Sequence, residues 1–95
     1  MEVIVKKSFL KVIKTVPKPV QDTVKEIITE KLPRAKSLED SGLDYKKMEG
    51  QKKGENYYRI RVGDWRIGVE YVNPRIIIIT ILSRGNIYKR FPPKL

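Results

Sequence analysis

The chain has 95 residues, and its 21 lysines and arginines against 11 aspartates and glutamates give a formal charge of +10. This length fits a single domain over residues 1–95, and the charge favours a polyanionic partner such as RNA, DNA, an anionic membrane or an acidic protein. The sequence has no cysteine and no histidine, which excludes disulfide frameworks, thiolate catalysis and the commonest metal ligands. We therefore expect neither a metal nor a cofactor.

The N-terminal half predicts a strand and two helices. The strand covers residues 1–6, and a short helix is expected from an N-cap at Ser8 to Pro17, with an apolar face formed by Phe9, Val12, Ile13 and Val16. A second helix should begin at Pro19 and stop at Pro33, with an apolar stripe formed by Val20, Val24, Ile27, Ile28 and Leu32. Helices joined so closely should pack as an antiparallel hairpin against a sheet.

The C-terminal half predicts most of that sheet. Residues 43–48 are too few to assign as helix or strand and are expected to form a connector, and residues 51–56 an exposed, mobile loop. Residues 57–71 alternate as a β-hairpin, and the apolar run over 75–82 predicts a central strand buried on both faces, followed by a short tail. The expected fold is α+β: an N-terminal strand and an antiparallel helical hairpin packed on a mainly antiparallel, twisted sheet of about four strands.

The hairpin carries arginines on one of its faces. If Gly63-Asp64 is a two-residue loop, Arg61 lies opposite Arg66 and Arg59 lies opposite Gly68. Like charges directly opposite each other cost stability, so an anion is expected between the two arginines. Phosphate fits best, because a guanidinium group can hold two phosphate oxygens at once. The alternative is an ordinary solvated basic face with acidic partners elsewhere.

A second basic cluster follows the apolar strand and consists of Arg84, Tyr88, Lys89 and Arg90. A tyrosine among cations at a strand end is typical of a site for phosphate and base, since aromatic faces and arginine planes hold single-stranded RNA. Tyr88 could stack on a nucleobase or orient it through the hydroxyl. The alternative is that Ile87 and Tyr88 only cover the edge of the sheet.

The hairpin Tyr-Arg-Ile-Arg-Val-Gly-Asp-Trp-Arg-Ile, the isoleucine-rich strand and the closing Ser-Arg-Gly-Asn-Ile-Tyr-Lys-Arg together resemble the RelE/ParE superfamily of toxins from toxin-antitoxin systems. The RelE branch of that superfamily cleaves mRNA on the ribosome with basic residues and a tyrosine. By position, the resemblance implies catalytic roles for Arg61, Arg66, Arg84 and Tyr88. We expect RNA phosphates to be bound by Lys52, Lys53, Arg59, Lys89 and Arg90.

This sequence departs from RelE at two positions, since Arg59 and Arg61 stand where RelE carries lysines. A lysine in a crowded cationic site can lose its proton and act as a base, whereas arginine stays protonated. We therefore expect both arginines to clamp phosphates while Arg66 and Arg84 stabilise developing charge. The general base stays open among Glu70, Glu55 and a lysine of the Lys52-Lys53 loop.

The proposed site requires a particular register between the strand that carries Arg66 and the strand that precedes Arg84. A regular two-residue turn at Asn73-Pro74 would place Arg66 opposite Ile81 and send Arg84 to the other face of the sheet. A longer odd-numbered loop or a β-bulge would instead bring Arg84 beside Arg66. We predict that Arg61, Arg66 and Arg84 converge on one concave basic surface.

The leading function is therefore a metal-independent mRNA endonuclease toxin, ribosome-dependent or acting on free mRNA, that an acidic antitoxin holds inactive. One alternative is a non-enzymatic ParE-like inhibitor of DNA gyrase, and another is a simple RNA-binding module. The longest apolar run, Ile76 to Ile79, is too short to span a bilayer, and no apolar leader segment precedes the first strand. We expect a cytoplasmic protein with no membrane partner.

Overall fold

The structure is a computed structural model that describes residues 1–92. Residues 18–34 form one continuous helical segment that contains a π-helical turn. The elements in chain order are β1 (Glu2–Val5), α1 (Lys7–Ile13), α2 (Lys18–Glu26), the π-helical turn (Ile27–Lys31), α3 (Leu32–Arg34), β2 (Tyr45–Lys47), β3 (Tyr57–Val62), β4 (Trp65–Val72), β5 (Arg75–Ser83) and α4 (Arg84–Arg90).

The strands form one mixed sheet in the order β1-β5-β4-β3-β2. β1 runs parallel to β5, and the other three neighbouring pairs are antiparallel. The α+β class and the mainly antiparallel sheet are therefore confirmed, with five strands instead of about four. The fifth strand is β2, which comes from the segment expected to be a connector.

The hairpin register is the predicted one, because Arg61 pairs with Arg66 and Arg59 with Gly68. Between β4 and β5 the turn has two residues, but an irregularity after Gly68 shifts the pairing. Arg66 consequently pairs with Leu82 rather than with Ile81. The bulge alternative is the one found, and it places Leu82, two residues before α4, on the arginine side of the sheet.

The main core lies between the helices and one face of the sheet. It is formed by buried side chains that include Phe9, Val24, Ile27 and Leu32 from the helices and Ile60, Ile67, Val69, Ile76, Ile78 and Ile81 from the strands. In the ladder these strand residues alternate with the arginines, so burying them directs Arg59, Arg61 and Arg66 to the opposite face.

Two predicted helix boundaries were wrong. Ser8 is not the N-cap of α1, which begins at Lys7, and the Ser8 hydroxyl donates instead to the carbonyl of Ile79 at 2.6 Å. Pro33 does not stop the second helix, which continues to Arg34. The Leu32 amide bonds the carbonyl five residues back, and this wider turn accommodates a proline that would clash with the i−4 carbonyl of a regular helix.

A second, smaller core lies on the opposite face of the sheet, where α4 packs. The segment expected to be a tail forms this helix, and its buried side chains Ile87 and Phe91 meet Met48 from the end of β2. The Phe91 ring lies directly on Gly68, and a Cβ at that glycine would be 2.9 Å from the Phe91 Cδ1 atom. Gly68 thus provides the flat surface on which the end of α4 sits, and this packing positions Tyr88.

Candidate functional site

A cleft of about 800 Å³ opens on the α4 side of the sheet, between the 46–55 segment and the C-terminal part of α4. Tyr88 lies at this cleft with 61% of its surface exposed, while its neighbour Ile87 is fully buried. The charged side chains that line the cleft are Lys46, Lys47, Lys52, Arg59 and Lys89, with Glu49 and Glu55 as the acidic members. The cleft is therefore basic with one exposed aromatic ring, and the buried contact with the sheet is made by Ile87 rather than by Tyr88.

Arg59 is the most buried cation of the cleft. It lies on β3 between Lys46 of β2 and Gly68 of β4. Its Nη1 atom is inaccessible to solvent and has no hydrogen-bond partner among the described residues. A buried guanidinium nitrogen without an acceptor is costly, because the lost hydration is not replaced. The arrangement favours an anionic ligand in the cleft.

The loop that forms one wall of the cleft is held by side-chain hydrogen bonds. Gln51 donates from Nε2 to the carbonyls of Met48 at 2.6 Å and Tyr57 at 2.8 Å, and its Oε1 accepts from the Tyr57 amide at 2.8 Å. The Glu55 carboxylate accepts from the Lys52 amide at 2.7 Å. These bonds extend the β2–β3 ladder into the loop and fix the wall opposite Tyr88.

Arg61 and Arg66 lie outside this cleft, near the Gly63-Asp64 turn. The exposed Arg61 side chain is 3.8 Å from the carboxylate of Asp44. Arg66 is 8% exposed, and its Nη1 donates to the carbonyls of Gly63 at 2.7 Å and Trp65 at 2.9 Å. Protein groups thus partner both arginines, so their opposition alone does not require an anion. Arg66 nevertheless retains a buried Nε atom without a partner among residues 1–92.

Arg84 belongs to the same end of the sheet. It is the first residue of α4, and its backbone amide donates to the carbonyl of Asp64 at 2.9 Å. Arg61, Arg66 and Arg84, named here the turn arginines, therefore have their backbones close to the Gly63-Asp64 turn, while their convergence on one concave surface stays a prediction. They do not share the cleft with Arg59 and Tyr88. The predicted site is divided into two neighbouring parts.

The remaining predicted phosphate ligands separate in the same way. Lys52, Arg59 and Lys89 line the cleft, whereas Lys53 and Arg90 are exposed outside it. Sequence reasoning missed Lys46 and Lys47, because residues 43–48 gave no clear strand pattern. The pairing of Lys46 with Arg59 brings the first of these two lysines to the cleft face.

The candidate general bases also separate. Glu55 and Lys52 line the cleft, whereas Glu70 lines a different cavity of about 420 Å³ near Val72 and Asn73. Burial raises the pKa of Tyr57, and the nearby Glu70 and Glu55 carboxylates raise it further. These effects favour the neutral form of Tyr57, whose ring lies edge-on to Phe91.

Residues 1–92 contain neither a membrane-spanning helix nor a cluster of metal ligands. No helix there is both long and apolar enough to cross a membrane. Within the same range, no three carboxylates come together as a metal site would need.

Comparison with known proteins identifies the family. The model of the family described as ParE toxin of type II toxin-antitoxin system, parDE, matches residues 3–88. Toxin RelE3 of Methanocaldococcus jannaschii is 44% identical over 92 residues, which are 97% of this chain and 100% of that toxin.

Solved structures give the same result. A chain of the RelB-RelE antitoxin-toxin complex from Methanococcus jannaschii is 42% identical, with a TM-score of 0.75 over 94% of this chain and 99% of that one. The archaeal RelE-RelB complex from Pyrococcus horikoshii OT3 matches at 26% identity and a TM-score of 0.54, over 88% of this chain and 94% of that one. The RelBE2 complex from Mycobacterium tuberculosis shares the fold, with a TM-score of 0.66 at 15% identity over 87% of this chain and 96% of that one. The chain therefore has the RelE-like fold. It belongs to the ParE toxin family and is a toxin of a type II toxin-antitoxin system.

Proposed function

We propose that this toxin is a metal-independent endoribonuclease that cleaves mRNA on the ribosome, in the cytoplasm. The observation that carries the proposal is the basic cleft, which is lined both by the exposed ring of Tyr88 and by Arg59, whose buried Nη1 has no partner among residues 1–92. A cation and an aromatic ring on one cleft suit a phosphate and its neighbouring base in single-stranded RNA. The resemblance to the mRNA-cleaving RelE branch indicates that the substrate is mRNA.

The reaction proposed is attack of a ribose 2′-oxygen on the adjacent phosphorus. A base removes the 2′-hydroxyl proton, the new O–P bond forms, the bond from phosphorus to the 5′-oxygen breaks, and that oxygen takes up a proton. The products are a 2′,3′-cyclic phosphate and a 5′-hydroxyl. Because no oxidation or external nucleophile is needed, the protein has to supply only proton transfer and charge stabilisation.

The residues divide these tasks by position. Arg59 clamps a phosphate, and Tyr88 positions a base at the rim of the cleft. The turn arginines stabilise the negative charge that builds on the phosphorane. For the general base, Glu55 and Lys52 are the candidates that line the cleft, and Glu70 is disfavoured because it faces another cavity.

We further propose that a cognate antitoxin inhibits the toxin by covering this cleft. The related structures from Methanococcus jannaschii and Pyrococcus horikoshii OT3 are complexes of RelE with RelB. A charge of +10 favours an acidic antitoxin surface, which would neutralise the cleft and exclude RNA together.

The test is cleavage of a defined mRNA by purified toxin with and without ribosomes, at a constant magnesium concentration that keeps the ribosomes assembled. We expect cleavage that requires ribosomes and leaves a 2′,3′-cyclic phosphate and a 5′-hydroxyl, which are the products of attack by the 2′-oxygen. Arg59→Gln protein, matched in fold by circular dichroism, should cleave about a hundredfold more slowly. Products with a 5′-phosphate would contradict attack by the 2′-oxygen and favour a metal-activated water instead, and equal cleavage by Arg59→Gln would contradict the assignment of the cleft.

The second candidate is inhibition of DNA gyrase by protein contact, favoured by the match to the ParE toxin family model over residues 3–88. A supercoiling assay with purified gyrase separates the two functions. Gyrase inhibition without RNA cleavage by the same protein sample would replace the endonuclease proposal with this one.

A further inference from the structure

The like-charged pair formed by Lys46 and Arg59 is a cleft feature that fold stability does not explain. The two residues are direct partners in the antiparallel β2–β3 ladder, and both line the cleft. Directly opposed like charges destabilise a sheet. Unlike Arg61, which has Asp44, neither residue forms an ion pair with a carboxylate in the described part of the chain.

Strand β2 also holds Lys46 in a fixed position. β2 is only three residues long, yet its flanks continue the pairing, with the Arg61 amide donating to the carbonyl of Asp44 at 2.7 Å and the Met48 amide to that of Tyr57 at 2.9 Å. Gln51 bridges Met48 and Tyr57 beyond that point. The backbone of Lys46 is therefore anchored on both sides, which lowers the entropy cost of using its side chain as a ligand.

We infer that Lys46 and Arg59 together bind one backbone phosphate of the RNA, so that Lys46 is a substrate-binding residue of this toxin. The inference rests on the proposed function, since it deepens the role of the same cleft. Arg59 contributes a planar guanidinium fork, and Lys46 contributes a point charge from the exposed edge strand. A phosphodiester between them would relieve the repulsion and compensate two charges that no carboxylate of residues 1–92 pairs with.

The test measures binding of a short single-stranded 2′-O-methyl RNA, which has no 2′-hydroxyl and so is not cleaved. Affinity is measured as a function of salt for the wild type, Lys46→Gln, Lys46→Arg and Lys25→Gln. Lys25 is the matched control, because it is exposed on α2, which lies on the other side of the sheet, and its replacement changes the net charge equally. Each phosphate contact contributes about 0.7 to the logarithmic salt slope for a single strand.

We expect Lys46→Gln to lower the slope by about 0.7, and Lys46→Arg and Lys25→Gln to leave it unchanged. The melting temperature of Lys46→Gln should equal or exceed that of the wild type, because the repulsion with Arg59 is removed. A wild-type slope in Lys46→Gln, or an equal decrease in Lys25→Gln, would overturn the inference. RNA binding that depends on Lys46 in a protein that fails to cleave mRNA would support the phosphate site while rejecting the endonuclease.

Discussion

Arg61 and Arg66 lie directly opposite each other in the β3–β4 ladder, yet their guanidinium groups have different partners. Arg61 extends to Asp44, whereas Arg66 folds back onto the carbonyls of Gly63 and Trp65. The repulsion between the two charges is thus relieved within the protein. This assigns Arg66 a structural task at the hairpin turn in addition to its proposed role in catalysis.

The first prediction concerns the replacement of Arg66 by alanine. Arg66→Ala removes two hydrogen bonds to turn carbonyls and empties a buried site. We expect it to lower the free energy of unfolding by about 2 kcal/mol, measured by urea denaturation. Arg61→Ala is the matched control and should cost less than about 1 kcal/mol, since its ion pair is exposed. Equal losses of unfolding free energy in the two variants would show that the Arg66 hydrogen bonds stabilise the fold no more than the exposed ion pair of Arg61 does.

Activity of the Arg66→Ala protein should be compared with the wild type under conditions in which both are folded. A decrease of about a hundred- to thousandfold in mRNA cleavage is expected if the guanidinium stabilises transition-state charge. Cleavage at the wild-type rate would restrict Arg66 to the structural task.

Replacement of Tyr88 should lower activity without lowering stability, because its side chain is largely exposed and supports no core contact. Tyr88→Ala is expected to leave the unfolding free energy within about 0.5 kcal/mol of the wild type while slowing mRNA cleavage. Tyr88→Phe keeps the ring and removes only the hydroxyl. Cleavage by Tyr88→Phe at nearly the wild-type rate would assign base stacking to the residue, whereas a loss equal to that of Tyr88→Ala would assign the role to the hydroxyl.

The hairpin was predictable because a local signal specifies it. Gly63-Asp64 between alternating residues sets the loop length, and the loop length sets the register that pairs Arg59 with Gly68. The shift between β4 and β5 was only one of two alternatives, since no residue type marks a bulge unambiguously. The faces of the sheet could therefore be assigned for β3 and β4, but not for the segment that carries Arg84.

The two elements that complete the cleft depend on tertiary contacts. Strand β2 has three residues and becomes a strand by pairing with β3, so residues 45–47 carry no period of their own. Helix α4 contains Gly85 and Asn86, which are poor helix formers, and is held on the sheet by Ile87 and Phe91. Lys46 was missed because β2 has no strand pattern of its own. The position of Tyr88 at the cleft could not be predicted because α4 depends on its packing against the sheet.

The contact between Gly68 and Phe91 leads to the third prediction. Gly68→Ala places a methyl group 2.9 Å from the Phe91 ring, which then has to shift together with the end of α4. We expect a cost of about 1–3 kcal/mol in urea denaturation and slower mRNA cleavage, since Tyr88 moves with the helix.

A second substitution provides the control. Phe91→Ala in the Gly68→Ala background should cost less than the sum of the two single changes, because alanine lacks the Cγ, Cδ1 and Cε1 atoms that meet the new methyl group. Additive losses in the double variant would show that the two sites do not interact and would contradict the proposed docking of α4 on Gly68.

The last prediction concerns alkaline pH and Tyr71, which is 7% exposed. Its hydroxyl accepts a hydrogen bond from the Leu38 amide at 3.1 Å and donates one to the Glu39 carboxylate at 3.2 Å. Burial raises the pKa of Tyr71 above its ordinary value of 10.0, and the Glu39 carboxylate raises it further, although the bond from the Leu38 amide opposes this. The folded protein therefore binds this proton more tightly than the unfolded chain. The resulting stability is fully present below pH 10 and is lost as the pH rises through the raised pKa.

Urea denaturation of the wild type and Tyr71→Phe at about pH 8 and about pH 11 tests this, since the two proteins differ in no other ionisable group. At the lower pH, Tyr71→Phe should be less stable by about 1 kcal/mol, because the buried Leu38 amide loses its acceptor. At the higher pH the difference should narrow, because the wild type loses the contribution of the neutral hydroxyl and phenylalanine has none to lose. Parallel decreases in the two proteins would show that Tyr71 does not govern the alkaline limit of this fold.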